Sequence, residues 1–240
     1  MIFERSRTLL GDGAFRRLRD TGVAIFGLGG VGGWCAEALV RTGVRRLMLV
    51  DPDSVAASNV NRQVMATGST IGEAKAAALA RRLREISGDV ALDLQPRRYD
   101  ESSAGTFGLE RFDYVIDAID SLDCKALLIR ETLALQRPTL LSSMGAARRF
   151  DPLRVRVSPF SKVAGDALAR ALRQRLRRAG GMPDRDFACV WSDEPAAPMP
   201  PGALGSLMQV TAAFGLALAS QVVNAARGQC ASGAGEARQC

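Results

Sequence analysis

The chain has 240 residues, 47% of them hydrophobic and 24% charged, a composition typical of a globular protein with one domain or one domain with extensions. Its formal net charge of +7 permits an anionic partner such as nucleic acid, while the absence of histidine excludes Ser-His-Asp triads, Cys-His pairs and histidine-bound metals. Five scattered cysteines without CxxC spacing disfavour structural zinc and a disulfide framework, and they indicate a reducing, cytoplasmic location.

The first part of the chain alternates short apolar runs with segments of helical period. Helices are predicted from the glycine-rich turn to about residue 41, at 72–86 and at 123–136. Strands are predicted at 22–26, 45–50, 90–96, 112–120 and 138–143. Strands that alternate with helices favour an α/β fold with a doubly wound, mostly parallel, Rossmann-like sheet.

Beyond residue 144 the pattern becomes less regular. It predicts strands at 153–158 and 187–192, a basic helix at 165–179, a Pro-rich loop at 193–202 and an apolar helix at 205–227. The longest apolar stretch, 212–219, is too short to span a bilayer, so no transmembrane segment is expected; whether this helix touches a membrane or a dimer mate stays open. We expect one domain over 1–227, with a nucleotide-binding half at about 20–145, a C-terminal extension at about 146–227 and a disordered tail at 228–240.

A glycine-rich turn follows the first predicted strand. Gly27, Gly29 and Gly32 fill the GxGxxG spacing in GLGGVG and open a predicted helix. Glycines there let the backbone approach a phosphate at the helix N-terminus, where the amides and the dipole favour an anion. Asp51, at the end of the second predicted strand, is placed to bind ribose hydroxyls. This pattern predicts a nucleotide site but does not distinguish ATP from NAD.

Further polar side chains follow the predicted strands and separate these two cofactors. They are Asn59, Arg62, Gln63, Lys75, Asp117 and Asp120. Two fixed cations and a pair of carboxylates suit a triphosphate with Mg²⁺, because the cations neutralise phosphoryl oxygens and an aspartate holds the metal. A hydride-transfer cofactor needs neither.

The whole set of motifs resembles the ThiF/MoeB adenylyltransferase superfamily, which is related to ubiquitin-activating enzymes. The segments that carry the resemblance are Arg7, GLGGVG, DPD, NVNRQ, GEAK and DAID. Within the superfamily, YVIDAIDS, SSMGAARRFDP and SKVAGDALARALRQRLRR are similar to the tRNA threonylcarbamoyladenosine dehydratase group. The resemblance covers roughly residues 3 to 226, and Ala167 stands where that group has proline.

The resemblance implies ATP and Mg²⁺ as cofactors, and a role for each matching residue. The glycine loop with Gly30 contacts the phosphates, Asp51 binds ribose, and Asp120 holds Mg²⁺. Asn59, Arg62 and Lys75 bind and polarise the triphosphate for attack at the α-phosphorus, with Gln63 and Asp117 beside them. Arg7 reaches the partner subunit's ATP, which implies a homodimer. These roles make Arg62, Lys75, Asp120 and Arg7 the expected catalytic residues.

The resemblance favours an enzyme that adenylates the carboxylate of N6-threonylcarbamoyladenosine in tRNA and cyclises it with net dehydration. One alternative is an activator of a sulfur-carrier or ubiquitin-like protein, which the absence of CxxC motifs disfavours. Another is an NAD-binding oxidoreductase or a non-catalytic Rossmann protein. The sequence leaves open which tRNAs are modified, whether a sulfurtransferase partner exists and what the cysteines do.

The predicted basic helix is the expected tRNA-binding element. Leu168, Leu172 and Leu176 form its predicted buried stripe, with arginines on the opposite face. Those arginines are Arg170, Arg173 and Arg177, flanked by Arg175 and Arg178, with Arg148, Arg149, Arg154 and Arg156 upstream. Like charges at this spacing repel each other, and an anionic partner relieves that repulsion, so we expect phosphate contacts here.

Overall fold

The computed structural model describes residues 2–200 and 204–228, and the tail prediction lies outside them except for Gly228. The described residues form one seven-stranded sheet in the order β3-β2-β1-β4-β5-β7-β6. Its strands are β1 (Gly22–Phe26), β2 (Arg46–Val50), β3 (Ala91–Gln95), β4 (Tyr114–Asp117), β5 (Thr139–Ser143), β6 (Val155–Pro159) and β7 (Ala188–Ser192). All neighbouring pairs are parallel except β6 and β7. The predicted fold class is therefore confirmed.

The strand order reverses direction beside β1. The chain runs from β1 outward through β2 to β3, then returns to β4 on the other side of β1. In open α/β sheets the loops that leave the strand ends at such a point diverge and open a crevice for a ligand. The loops after β1 and β4 flank this point, with the β2 loop next to them.

Helices cover both faces of the sheet. They are α1 (Glu4–Leu10), α2 (Asp12–Asp20), α3 (Gly32–Thr42), α4 (Lys75–Ile86), α5 (Leu122–Ala134), α6 (Ala167–Arg178) and α7 (Met208–Ala226). Successive β1 side chains point to opposite faces, so Val23 and Ile25 enter a core with α3, α4 and α7. Ala24 and Phe26 enter the second core, with α5 and α6.

The apolar character of α7 is explained by its packing against α3. A side chain at Gly215 would place its Cβ 2.5 Å from the Val31 carbonyl oxygen, so the two helices approach as closely as glycine allows. Phe214, Leu218 and Val222 of α7 are buried in the same core. Within residues 2–200 and 204–228, we find no helix with the length and apolarity needed to cross a membrane.

The predicted element boundaries lie within three residues of the observed ones, and two helices were not predicted. The fourth strand ends at Asp117 rather than at 120, because Ala118 and Ile119 pack against Gly27 of the glycine loop. Helices α1 and α2 were not predicted; short helices carry little periodic signal, and only Ala14, Phe15 and Leu18 of α2 are buried.

Candidate nucleotide site and basic helix

The glycine loop joins β1 to α3 in a conformation that side chains would block. Gly27 has φ +85°, and a Cβ on it would lie 2.5 Å from the Ala118 carbonyl oxygen. A Cβ on Gly32 would lie 1.8 Å from the Gly27 carbonyl oxygen. Around Gly29 the space is open, since a Cβ there would meet nothing closer than the Gln63 amide nitrogen at 3.8 Å. The loop is thus packed tightly on the inside and accessible at Gly29.

Asp51 ties the end of β2 to the glycine loop. Its carboxylate accepts the Leu28 N–H at 2.7 Å and the Asp53 N–H at 2.9 Å. Lys75, at the start of α4, places its Nζ 2.8 Å from the Asp53 carboxylate and 3.7 Å from that of Asp51. Burial raises the pKa of Asp51, and Lys75 with the two N–H donors opposes that rise. The structure therefore brings Asp51, Lys75 and the loop together, as the sequence predicts.

The segment 58–63 lies along the other side of the glycine loop. The Asn59 side-chain oxygen accepts the Ala56 N–H, and Arg62 donates to the Ser58 carbonyl and to the Asn61 side chain, both at 2.9 Å. Trp34 of α3 donates to the Arg62 carbonyl at 3.0 Å, which fixes the segment against the helix. A Cβ on Gly30 would lie 3.2 Å from Arg62 Cγ, so this arginine borders the loop.

Gln63 is the clearest sign that this loop holds a ligand. The residue is only 6% exposed, and its side-chain oxygen is a buried acceptor without a hydrogen-bond partner among the described residues. Such groups are rare and costly, at about 1–3 kcal/mol each. Its amide lies beside the open position at Gly29. The missing partner must be a hydrogen-bond donor, which a nucleotide offers in its ribose hydroxyls and base amino group but not in its phosphate oxygens, so the residues present fit a nucleotide whose ribose or base reaches Gln63.

The two aspartates after β4 have opposite environments. Asp117 is fully buried, and its carboxylate accepts Lys125 Nζ and Ser142 Oγ, both at 2.6 Å, and the Ile119 N–H at 3.2 Å. Asp120 is exposed and has no hydrogen-bond or ion-pair partner within the described ranges. Only Asp120 is therefore available at the edge. The predicted contact of Asp117 with the cofactor is corrected by this burial: Asp117 fixes the turn that carries Asp120.

Lys125 is the residue that sequence reasoning missed here. It lies on α5, is completely buried and forms an ion pair with Asp117 at 2.6 Å. Its position eight residues after Asp117, among the apolar side chains of α5, was the available signal, since a buried lysine needs a buried carboxylate.

The donor set also fits a magnesium ion. No group of three or more His, Cys, Asp or Glu side chains able to hold a metal occurs in the part of the chain that the structure describes. Mg²⁺ bound with a triphosphate needs only one or two protein carboxylates, because phosphate and water oxygens complete its coordination. Asp120 alone meets that requirement.

Arg7 lies away from this edge. It is on α1 and binds Asp12 at 2.5 Å. It also lines a groove with Ser87, Gly88 and Asp89, the residues just before β3 begins. The amino ends of parallel strands lie opposite their carboxyl ends, so Arg7 is at the far edge of the sheet from Asp51 and Asp120. The structure therefore does not bring Arg7 to the nucleotide edge of its own chain.

The basic face of α6 is smaller than the sequence predicts. Arg173 donates to the Phe160 and Val163 carbonyls at 2.7 and 2.6 Å and stacks 4.8 Å above the Phe160 ring. This corrects its predicted place on a free face. Arg175 pairs with Asp123 at 2.5 Å. The buried stripe is Ala169, Leu172 and Leu176, with Leu168 only half-buried. The exposed arginines of the helix are Arg170, Arg177 and Arg178.

The arginines upstream of α6 are also engaged. Arg154 and Arg156 both pair with Asp193, and Arg148 donates to the Ala197 carbonyl at 2.6 Å. Arg149 is buried. Arg154 and Arg156 share one carboxylate and stay partly exposed, so they still add positive charge upstream of α6, whereas Arg149 is buried and adds none to the surface.

Comparison with known proteins agrees with this geometry. The chain is 39% identical to tRNA threonylcarbamoyladenosine dehydratase of Bacillus subtilis over 192 residues, 80% of this chain and 74% of the relative. It is 34% identical to the Escherichia coli protein of the same name over 197 residues, 80% and 73% of the two chains. The crystal structure of E. coli tRNA N6-threonylcarbamoyladenosine dehydratase in complex with ATP matches with a TM-score of 0.87 and 33% identity, covering 94% of this chain and 93% of that one. The sequence model of the ThiF family matches residues 3–232. The chain belongs to the ThiF family.

Proposed function

We propose that this protein is an ATP-dependent tRNA threonylcarbamoyladenosine dehydratase. It adenylates the carboxylate of N6-threonylcarbamoyladenosine in tRNA and cyclises it with net loss of water. The observation that carries the proposal is the similarity to two bacterial dehydratases over 80% of the chain. The buried Gln63 side chain supports a nucleotide as the second substrate, because its oxygen lacks a donor and its amide nitrogen lies beside the open position at Gly29.

Different residues at the carboxyl edge of the sheet bind different parts of ATP. The N–H groups at the start of α3 bind phosphate oxygens, and Asp51 accepts hydrogen bonds from the ribose. Lys75 exchanges part of its contact with Asp53 for the triphosphate, and Arg62, with Asn59, lies on the other side of the loop. Asp120 holds Mg²⁺, which neutralises charge on the phosphates when bound. We also propose that one domain spans 1–227, with a nucleotide-binding half that ends at about residue 145 and a C-terminal extension beyond it.

The reaction requires positioning and charge stabilisation rather than a histidine base. A carboxylate oxygen of the substrate bonds to the α-phosphorus, and the bond from the α-phosphorus to the β-phosphate's bridging oxygen breaks to release pyrophosphate. A nucleophile within the threonylcarbamoyl group then attacks the acyl carbon, loses its proton to solvent and displaces AMP. The sum is loss of one water from the nucleoside and conversion of ATP to AMP and pyrophosphate. Lys75 and Arg62 stabilise the charge that develops at the α-phosphorus.

We further propose a homodimer in the cytoplasm, with tRNA as the macromolecular substrate. Arg7 supports the dimer, because it lies at the sheet edge opposite its own site and a second protomer could present it to a partner. Three cysteines, Cys35, Cys124 and Cys189, are buried free thiols, as a reducing compartment maintains them. The exposed arginines of α6 support tRNA binding.

The decisive experiment measures tRNA nucleosides by mass spectrometry. Purified protein is incubated with Mg²⁺–ATP and tRNA that carries N6-threonylcarbamoyladenosine; a parallel reaction contains an ATP analogue that cannot be cleaved between the α- and β-phosphates. We expect the nucleoside to lose the mass of one water only with ATP. No loss of mass, together with adenylation of a carrier protein ending in Gly-Gly, would identify a sulfur-carrier activator instead. Thermal stabilisation by NAD but not by Mg²⁺–ATP would identify a dinucleotide-binding protein.

A further inference from the structure

Arg149 is the arginine that the structure buries most completely among the described residues. It is 4% exposed, and its Nε and Nη1 atoms are buried without any hydrogen-bond partner in residues 2–200 and 204–228. Its Nη2 lies 3.8 Å from an Asp166 carboxylate oxygen, too far for a hydrogen bond. A buried guanidinium normally satisfies its donors, because an unpaired buried charge is costly. The Nε and Nη1 donors of Arg149 therefore lack hydrogen-bond acceptors among the described residues.

Asp166 does not supply them, since its carboxylate has other partners. One oxygen accepts the Ala169 N–H at 2.8 Å and caps α6, and the other accepts the Gly145 N–H at 3.2 Å. Asp166 thus links the start of α6 to the loop that carries Arg149. It holds Arg149 by charge at 3.8 Å and leaves the buried Nε and Nη1 donors of the guanidinium without an acceptor among the described residues.

The backbone before Arg149 is strained in a way that turns this side chain inward. Arg148 has φ +64°, the one non-glycine residue with positive φ in the described chain. Hydrogen bonds hold it there: its N–H donates to the Gly205 carbonyl and its carbonyl accepts the Ala197 N–H, both at 2.8 Å. Such conformations persist where surrounding contacts impose them, and they cluster at functional sites. The adjacent arginines consequently differ, with Arg148 bound to Ala197 and Arg149 buried.

The loop that carries Arg149 starts at the ligand-binding edge of the sheet. It leaves the carboxyl end of β5, which pairs with β4 so that Asp117 lies opposite Ser142. The turn with Asp120 leaves the neighbouring end of β4. The loop with Arg149 therefore begins on the side of β4 away from β1 and β2, whose own loops account for the phosphates and the ribose.

We propose that Arg149 binds the substrate's carboxylate, the group to be adenylated, and thereby selects tRNA that carries it. This inference rests on the proposed function. Arginine can take a carboxylate with two parallel N–H···O bonds, on either edge of its planar group. A backbone phosphate of the tRNA is the other oxyanion that a guanidinium can bind. The experiment below distinguishes the carboxylate from the phosphate.

The test compares two tRNAs that differ only in the threonylcarbamoyl group of one adenosine. Binding of each to the ATP-loaded protein is measured for the wild type and for Arg149→Met, which keeps an unbranched buried side chain. We expect wild type to prefer the carboxylate-bearing tRNA, and Arg149→Met to reduce that preference at least about ten-fold, the effect of losing hydrogen bonds to a charged group. Affinity for ATP and for unmodified tRNA should be unchanged. Arg154→Met, which removes a charge near by, should retain the preference.

Three outcomes would overturn the inference. Equal preference in Arg149→Met and wild type would make Arg149 a structural residue, and equal loss for both tRNAs would make its ligand a phosphate. If the wild-type protein does not dehydrate the modified nucleoside, the proposed function is wrong and so is this inference. That result is distinguishable from the first two, because they concern the binding preference of the variant. Arg149→Gln keeps hydrogen-bond donors in the pocket without the charge; should Arg149→Met not fold, the same comparison with Arg149→Gln decides.

Discussion

At the scale of single residues, three strand-end aspartates receive different roles from their surroundings. Asp51 is buried and bound to the backbone of the glycine loop, Asp117 is buried and paired with Lys125, and Asp120 alone is exposed without a partner in the described chain. The same side chain thus shapes a loop, fixes a turn or remains free for a metal. Environment and not residue type separates these roles.

Asp120→Ala should leave the fold intact and reduce pyrophosphate release at least about 10²-fold, because it removes the exposed, unpaired carboxylate that the described residues place after β4. Release is measured with saturating ATP and modified tRNA over a range of Mg²⁺ concentrations. Asp123→Ala is the matched control, since Asp123 is exposed three residues on and pairs only with Arg175. Wild-type release from Asp120→Ala would remove this residue from the metal site.

Lys125→Met should lower the free energy of unfolding by about 3–5 kcal/mol, because it leaves the Asp117 carboxylate buried without its cation. Urea denaturation gives the value. The double variant Lys125→Met with Asp117→Asn removes the stranded charge, so it should cost clearly less than the sum of the two single changes. Strict additivity would show that the pair does not interact.

At the scale of elements, α6 shows how a charged helix is divided between structure and binding. Arg173 secures the 160–163 turn through two carbonyls, and Arg175 joins the helix to α5 through Asp123. Three arginines of the helix stay exposed and are available to solvent or to a binding partner: Arg170, Arg177 and Arg178. The element as a whole still presents a positive face, but a narrower one than its sequence indicates.

Arg170→Gln with Arg177→Gln should raise the Michaelis constant for tRNA and leave that for ATP unchanged. Each lost phosphate contact should also reduce the slope of log affinity against log salt by about 0.7–0.9. Filter binding over a salt series measures this, with Arg84→Gln and Arg98→Gln as an equal change of charge on other exposed arginines. If both double variants behave alike, the effect is one of net charge and α6 is not the tRNA surface.

At the scale of the whole molecule, the sheet separates two functional edges. Asp51, Lys75 and Asp120 gather at the carboxyl ends of β2 and β4, while Arg7 lies in a groove beside the residues that precede β3. The homodimer proposed above accounts for this separation, because a second copy could present its Arg7 to the nucleotide edge of the first.

Mixing Arg7→Ala protein with Asp120→Ala protein should restore up to about a quarter of wild-type activity. Half of the randomly paired dimers are mixed, and each mixed dimer contains one complete site of two. Activity is measured after subunit exchange has been verified with differently labelled chains. No recovery despite exchange would assign Arg7 to its own chain or to no catalytic role.

Local patterns in the amino-acid sequence predict the fold class, the glycine loop and the clustering of Asp51, Lys75 and the 58–63 segment around it. These features depend on local spacing: apolar periodicity sets the elements, and parallel strands bring their carboxyl ends to one edge. Three features emerge only from the folded chain: Asp117 is paired with Lys125, Arg173 is bound to backbone carbonyls, and Arg149 is buried with unpaired donors. Each of these features depends on which groups, far apart in the chain, come within hydrogen-bonding distance. Packing between elements sets those distances, and the periodicity of the sequence does not predict them.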